Sequence, residues 1–196
     1  VPPYTFIATV NVVLRQHALP VFVDTDPETF QMDARKLEAA ITPRTRAIVP
    51  VHLGGNVCDL DAILAIATRR NVPVLEDACQ AHLAQWRGRH VGTFGTGSAF
   101  SFHPRKSITT GEGGMITTND DTIGSLVRSL RDHGSARADA VADDEEDPFL
   151  LSDFPRVGFN SRMTDIQGAL GCAQMDRLDE ILARRREIAA RYDELL

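Results

Sequence analysis

The chain has 196 residues, 43% hydrophobic and 24% charged, with a formal net charge of −6. This is ordinary globular composition, enough for one sizeable core. The basic residues are scattered, which gives no support to a nucleic-acid-binding stripe, and no apolar run approaches the roughly 18 residues of a membrane span.

In chain order, Pro20-Val21-Phe22-Val23-Asp24 reads as a strand and Asp33 to Ala40 as a short helix with Asp33 as its N-cap. Ala47-Ile48-Val49-Pro50-Val51 is a second strand, followed by a helix from Asp59 to Arg70 with apolar residues at helical spacing. Strands at Pro73–Glu76, Ser98–Phe102 and Gly114–Thr118 come next, then a helix from Asp120 to Arg131 ending near Gly134. Strands alternating with helices predict an α/β fold of three layers, α/β/α, with a mainly parallel sheet covered on both faces. Ala136 to Pro155 breaks the pattern with Asp143-Asp144-Glu145-Glu146-Asp147, where like charges repel and favour a solvated loop. Met163 to Leu196 is helical by periodicity, and no cap closes it, which raises the expectation of a further domain.

Three cysteines (Cys58, Cys79, Cys172) lie far apart and fit neither a disulfide framework nor a zinc site, so a reducing cytoplasm is expected. The six histidines show no metal-ligand spacing.

The chemistry concentrates in two runs. At the end of an apolar strand, Lys106 stands in Phe102-His103-Pro104-Arg105-Lys106-Ser107-Ile108-Thr109-Thr110-Gly111-Glu112-Gly113-Gly114, flanked by hydroxyls and glycines. It reads either as a loop lysine capping a turn or as an amine beside a pocket, free to form a Schiff base. Upstream, Pro73-Val74-Leu75-Glu76-Asp77 ends in carboxylates, and Ala78-Cys79-Gln80-Ala81-His82 follows. Asp77 alone reads as a helix N-cap. In open α/β sheets, however, ligands gather beyond the carboxyl ends of the strands, so Asp77 and Lys106 are expected in one crevice. A lysine for a Schiff base and an aspartate for a pyridinium nitrogen are the two groups that pyridoxal phosphate demands. Gly92-Thr93-Phe94-Gly95-Thr96-Gly97 has the wrong spacing and context for a nicotinamide-binding fingerprint.

With these residues in view, the sequence resembles the fold-type I sugar aminotransferases of the DegT/DnrJ/EryC1/StrS family. The likeness covers nearly the whole chain, from Val1-Pro2-Pro3-Tyr4-Thr5-Phe6 through Glu76-Asp77-Ala78-Cys79-Gln80-Ala81-His82 and Phe100 to Lys106, to Gly158-Phe159-Asn160-Ser161-Arg162-Met163-Thr164-Asp165. The resemblance implies pyridoxal 5'-phosphate, with Lys106 carrying it covalently and Asp77 holding its ring nitrogen protonated. Gln80 would meet the ring hydroxyl, Ser101 the phosphate, and Phe6 the ring face. Asn160 would reach a phosphate from the neighbouring subunit of a homodimer, while His103 and Glu112 would line the substrate side. Bland alternatives stand beside these roles: core packing for Phe6, a local backbone bond for Ser101, a cap for Gln80 and a turn for Asn160.

The implied reaction moves an amino group, with glutamate as donor, to a nucleotide-linked keto-sugar. The loop around Lys106 looks most like enzymes that aminate C4 of 4-keto-6-deoxy sugars, with perosamine and pseudaminic acid pathways the comparisons. The alternatives are a keto-sugar dehydratase of the same fold, in which histidine replaces the lysine, and a non-catalytic sugar-nucleotide-binding relative. The implied organisation is a cofactor-binding large domain over residues 1–135, an acidic mobile insertion over 136–157, and a helical segment over 158–196 leading toward a small C-terminal domain. The family's glycine-threonine or glycine-serine turn, whose amides cradle phosphate, would precede Val1. The expectation is therefore a portion of a longer protein, binding the cofactor weakly by itself.

Overall fold

The computed structural model describes residues 1–136 and 153–196, so residues 137–152 of the acidic segment lie outside the described residues. Six α-helices are described: α1 (Ala8–Arg15), α2 (Ala34–Ala40), α3 (Leu60–Arg70), α4 (Asp121–Arg131), α5 (Asp165–Met175) and α6 (Leu178–Leu195). The strands are β1 (Leu75–Asp77), β2 (Gln85–Trp86), β3 (Arg89–His90), β4 (Gly97–Ser101) and β5 (Gly114–Thr117).

The helices begin where short polar side chains can satisfy free backbone N–H groups. Asp33 accepts from the Arg35 amide at the start of α2, Asp59 from Ala62 at α3, and Asp120 from Thr122 and Ile123 at α4; each such cap stabilises its helix by about 1 kcal/mol. Helix α3 buries Leu60, Ile63, Ile66 and Ala67 and stops at Asn71 in the left-handed conformation, φ 51°. Its last turn ties to α2 through Arg69 and Arg70, both bonded to Glu38. Ile63, Ile66 and Ala67 pack with Leu37, Ile48, Cys58 and Val74 into the main core, where each fully buried aliphatic chain contributes roughly 1.5–3 kcal/mol.

The sheet is mixed. β1 and β4 are parallel, with Asp77 opposite Ala99, and β5 is antiparallel to β4. Single parallel bridges from Ile48 to Val74 and from Val51 to Asp77 add the 48–51 stretch on the other side of β1. The parallel expectation holds where a helix or long connection intervenes, and fails at β5, which a helix-free return loop brings back reversed. Pleating places Glu76 and Ser98 on a buried face, whereas Leu75, Asp77 and Ala99 share the opposite one, on which Leu75 is 42% exposed. The expected cover on both faces is therefore incomplete among the described residues.

Two further expectations need correction. Pro20–Asp24 forms no strand, because its backbone bonds go to separate places instead of one ladder: the Val1 amine donates to the Val21 carbonyl (3.1 Å), Val23 N–H to Val1 O (3.0 Å) and Asp33 N–H to Asp24 O (2.9 Å). The tail is two helices. A capping box at Thr164 and Gln167 starts α5, and the chain turns at Asp176 and Arg177 before α6. Leu178 at the head of α6 is buried against Phe102 and Ile108, tying the tail to the loop after β4.

No described helix is long and apolar enough to cross a membrane. Among the described residues no group of three or more His, Cys, Asp or Glu is placed to hold a metal.

Candidate active site at the carboxyl ends of β1 and β4

Parallel pairing brings the carboxyl ends of β1 and β4 side by side, and both chemically marked runs begin there. Asp77 ends β1. Its Oδ2 accepts the Thr9 hydroxyl at 2.7 Å, and its Oδ1 accepts the Cys79 N–H at 3.2 Å. Thr9 is buried on α1 and shares a second hydroxyl contact with Thr5 at 2.8 Å. The carboxylate is thus clamped from α1 and from its own turn, with lone-pair capacity to spare. One residue earlier, the pleat turns Glu76 inward. Its carboxylate takes the amides of Phe94 and Gly95 on Oε1, and the Gly92 amide and His52 Nε2 on Oε2. Burial would raise this carboxyl, but His52 and the three amides outweigh it and hold it below the usual range.

Gln80, in the turn after Asp77, accepts the Gly54 amide on its Oε1 at 2.9 Å, which leaves its NH2 group as donor. Ser101 ends β4; its Oγ accepts the His103 amide at 3.3 Å, so its O–H remains to donate. The loop beyond folds back on Phe102, whose carbonyl receives the Thr109 hydroxyl (2.9 Å) and the Thr110 amide (3.1 Å). Lys106 lies at its outer bend. Its amide donates to His103 O at 2.9 Å, and Arg185 of α6 donates to its carbonyl at 3.2 Å.

The electrostatics link the two ends. Burial, reinforced by the Asp77 charge and hydrogen bond, pushes the Cys79 thiol up to about 12, while Lys106 opposes that shift. Cys79 therefore senses the carboxylate and the ammonium together. The same ammonium acts on His82, whose imidazole is lowered chiefly by burial.

His103 Nε2 stands 3.9 Å from Glu112 Oε1 across the loop. Phe6 is 66% exposed just before α1, and its carbonyl accepts the Thr9 amide at 3.1 Å. Asn160 lies apart from the cluster: its backbone bridges to Asp132, and its Oδ1 accepts the Arg162 amide at 3.4 Å. Thr9, His52 and His82 are neighbours that sequence reasoning missed; no spacing signals the Thr9–Asp77 bond, whose partners are 68 positions apart. A surface depression lined by Leu64, Ala67, Thr68, Val74, Gly95 and Thr96 opens at the other end of the strands and contains none of Asp77, Gln80, Ser101 or Lys106.

A fixed carboxylate, an amine, and hydroxyl and amide donors at the strand ends fit pyridoxal phosphate, which needs a partner for its ring nitrogen, one for its aldehyde carbon, and donors for its anionic oxygens. The fold and site define an α/β domain with its reactive groups at the carboxyl edge of the sheet. The chain belongs to the DegT/DnrJ/EryC1/StrS aminotransferase family, which it matches over residues 1–196.

Among curated relatives, GDP-perosamine synthase of Caulobacter vibrioides is 50% identical over 196 residues, covering 100% of this chain and 50% of that protein. Helicobacter pylori PseC, an aminotransferase of pseudoaminic acid biosynthesis, superposes with a TM-score of 0.90 at 30% identity, covering 98% of this chain and 49% of that one. The sugar aminotransferase Spr1654 from Streptococcus pneumoniae in its PLP form gives a TM-score of 0.85 at 31% identity, covering 98% of this chain and 52% of that one. The chain spans about half the length of these relatives.

Proposed function

We propose that the protein carrying this chain is a pyridoxal-phosphate-dependent aminotransferase that moves an amino group from glutamate to a nucleotide-linked keto-sugar, a 4-keto-6-deoxy sugar by the analogy of the perosamine relative. The observation that carries this reading is the parallel pairing of β1 with β4, which sets Asp77 opposite Ala99 so that the Asp77 turn and the loop bearing Lys106 leave the sheet at the same edge. When bound, the cofactor supplies a conjugated electron sink for the amine being moved. Asp77, clamped by Thr9 and the Cys79 amide, would hold a proton on the ring nitrogen. Lys106 would provide the attaching nitrogen and afterwards carry the proton to and from the substrate carbon. The Ser101 O–H would serve the phosphate, the Gln80 NH2 the ring hydroxyl region and Phe6 the ring face. His103 and Glu112 would serve the sugar side. A homodimer in the cytoplasm, with Asn160 serving the neighbouring subunit's site, completes the proposal. A dehydratase of this fold or a non-catalytic binder would not need the Lys106 amine.

The test is borohydride reduction of the protein loaded with pyridoxal phosphate, followed by mass mapping. The expected result is a stable adduct on Lys106, absent in Lys106→Ala. Asp77→Asn should bind the cofactor yet lose at least about 100-fold in amine transfer, because the ring nitrogen loses its charged partner. An adduct elsewhere, or none, overturns the reading.

A further inference from the structure

The two tail helices grip the loop that carries Lys106. At its far end, Gln167 of α5 donates from Nε2 to the Glu112 carbonyl at 2.9 Å. Phe102 and Ile108 are buried with Leu178 of α6, and Leu182 packs beside them. At the outer bend, an Arg185 guanidinium N–H reaches the Lys106 carbonyl at 3.2 Å, from 79 positions away in the chain. Leu178, Leu182 and Arg185 follow one another at helical spacings of four and three, so one face of α6 supplies both the apolar seat and the polar contact. Of the hydrogen bonds among the described residues, this one alone reaches residues 104–107 from another element. The Lys106 amide is bonded within the loop to His103 O at 2.9 Å. Both backbone polar groups of the lysine are therefore held, one of them by a charge-assisted donor. Arg184, the neighbour of Arg185, instead pairs with Glu187 of its own helix.

Resting on the reading of Lys106 as the attaching amine, we propose that Arg185 is a positioning residue for that lysine: it holds the Lys106 carbonyl against α6 and so fixes the backbone from which the amine extends. With the lysine N–H turned to His103 O and its carbonyl to Arg185, the peptide planes on both sides are set, and the direction of its Cα–Cβ bond with them. The side chain then has only its own rotamers to search before the amine meets the cofactor's aldehyde carbon, an orientation set in advance by the fold. Without Arg185, the bend keeps its internal bonds and the apolar seat at Ile108, and nothing outside the loop fixes the peptide that follows Lys106. Lys106 is half-buried and Arg185 is exposed. Replacing an exposed side chain costs a fold little stability, so the effect belongs in the attachment of the cofactor and not in melting.

The test compares Arg185→Met, Arg185→Lys and Arg184→Met with the parent, in the whole protein that carries this chain. Methionine keeps an unbranched stem without a donor, lysine keeps a charged donor, and Arg184→Met removes the same charge one residue away. The visible absorption of the attached cofactor is followed in time at increasing pyridoxal phosphate, which gives a limiting rate and a half-saturating concentration. Arg185→Met should lower the limiting rate about fivefold, the ratio that one net hydrogen bond of average strength sustains. Its half-saturating concentration should stay within about twofold of the parent's, since other residues hold the phosphate and ring, and its apo thermal midpoint within about 2 °C. Arg185→Lys should recover at least half of the lost rate, and Arg184→Met should match the parent. A parental limiting rate in Arg185→Met overturns the proposal, as does equal slowing in Arg184→Met, which would be an effect of net charge. A rise in half-saturating concentration with a lower midpoint overturns it too, because it marks a general loosening. If Arg185→Met fails to fold, Arg185→Ala decides by the same limiting rate. A parent that never develops the band sinks the function proposed above, and this role with it; a parent that does, matched by Arg185→Met, sinks the role of Arg185 alone.

Discussion

Glu76→Gln tests how the floor beneath the site is held. The carboxylate is fully enclosed and receives four donors: the amides of Gly92, Phe94 and Gly95, each at 2.9 Å, and His52 Nε2 at 3.2 Å. His52 Nδ1 already accepts the Cys58 amide at 3.3 Å, so its proton sits on Nε2 and points at Glu76. Glutamine's one carbonyl oxygen can take the Phe94 and Gly95 amides, but its NH2 group then meets two more donors. Shifting the His52 proton to Nδ1 would only move the conflict to Cys58. Two stranded donors at about 1–3 kcal/mol each give a loss of about 4 kcal/mol, within the range for breaking a buried ionic partner and a large share of the 5–15 kcal/mol typical of a domain. The assay is urea unfolding of the apo protein, reading the midpoint at constant slope. Because the folded carboxyl is held below its ordinary value, its contribution is present above the unfolded value of about 4.3 and lost as pH falls through the folded one. The gap between parent and variant should therefore narrow below about pH 4.3. A loss under about 1 kcal/mol at neutral pH, or a gap unchanged into acid, would refute the reasoning.

Thr9→Val keeps the shape of the buried side chain but removes the hydroxyl donated to Asp77; unfolding should show a loss of about 1.5–3 kcal/mol, the range for a bond to a charged group. Gly134→Ala should destabilise by more than about 2 kcal/mol, because Gly134 has φ +85° and a Cβ there would run into the Arg156 carbonyl; a thermal midpoint within 2 °C of the parent, about 1 kcal/mol or less, contradicts this. Among the cysteines, Cys172 is exposed, Cys58 is buried, and the Cys79 thiol is held near 12 by burial. Iodoacetamide at about pH 8 should label Cys172 first, with Cys58 protected by burial and the half-buried Cys79 slowed by its raised thiol; labelling of Cys79 as fast as Cys172 would contradict that raised thiol.

Much of the fold is legible wherever local chemistry and burial agree. Asp33, Asp59 and Asp120 each precede an apolar helical pattern, and each is the observed cap. The strands β4 and β5 fall within a residue of their apolar runs, and β1 within two. Helix α1 stays hidden because Ala8-Thr9-Val10-Asn11-Val12-Val13 is rich in β-branched residues of modest helix propensity, and tertiary contacts such as Thr9 with Asp77 override it. The β2–β3 hairpin turns on Arg87 and Gly88, both at positive φ, and Arg-Gly lacks the Asn-Gly signal that betrays such turns. In the site, Asp77 and Lys106 stand out because strand ends gather ligands. Thr9, His52 and His82 do not, because their importance comes from long-range neighbours and leaves no mark in their own spacing.

Glu76 and Asp77 differ by one methylene and one position, yet the first is sealed among backbone amides while the second faces the open edge. Only the zigzag of the backbone sorts them. Inserting a single amino acid ahead of Leu75 would carry Glu76 to the open edge and put Leu75 in the sealed chamber, and deleting one there would draw Asp77 into the chamber in its place. The length of this stretch is therefore as tightly constrained as its two acids.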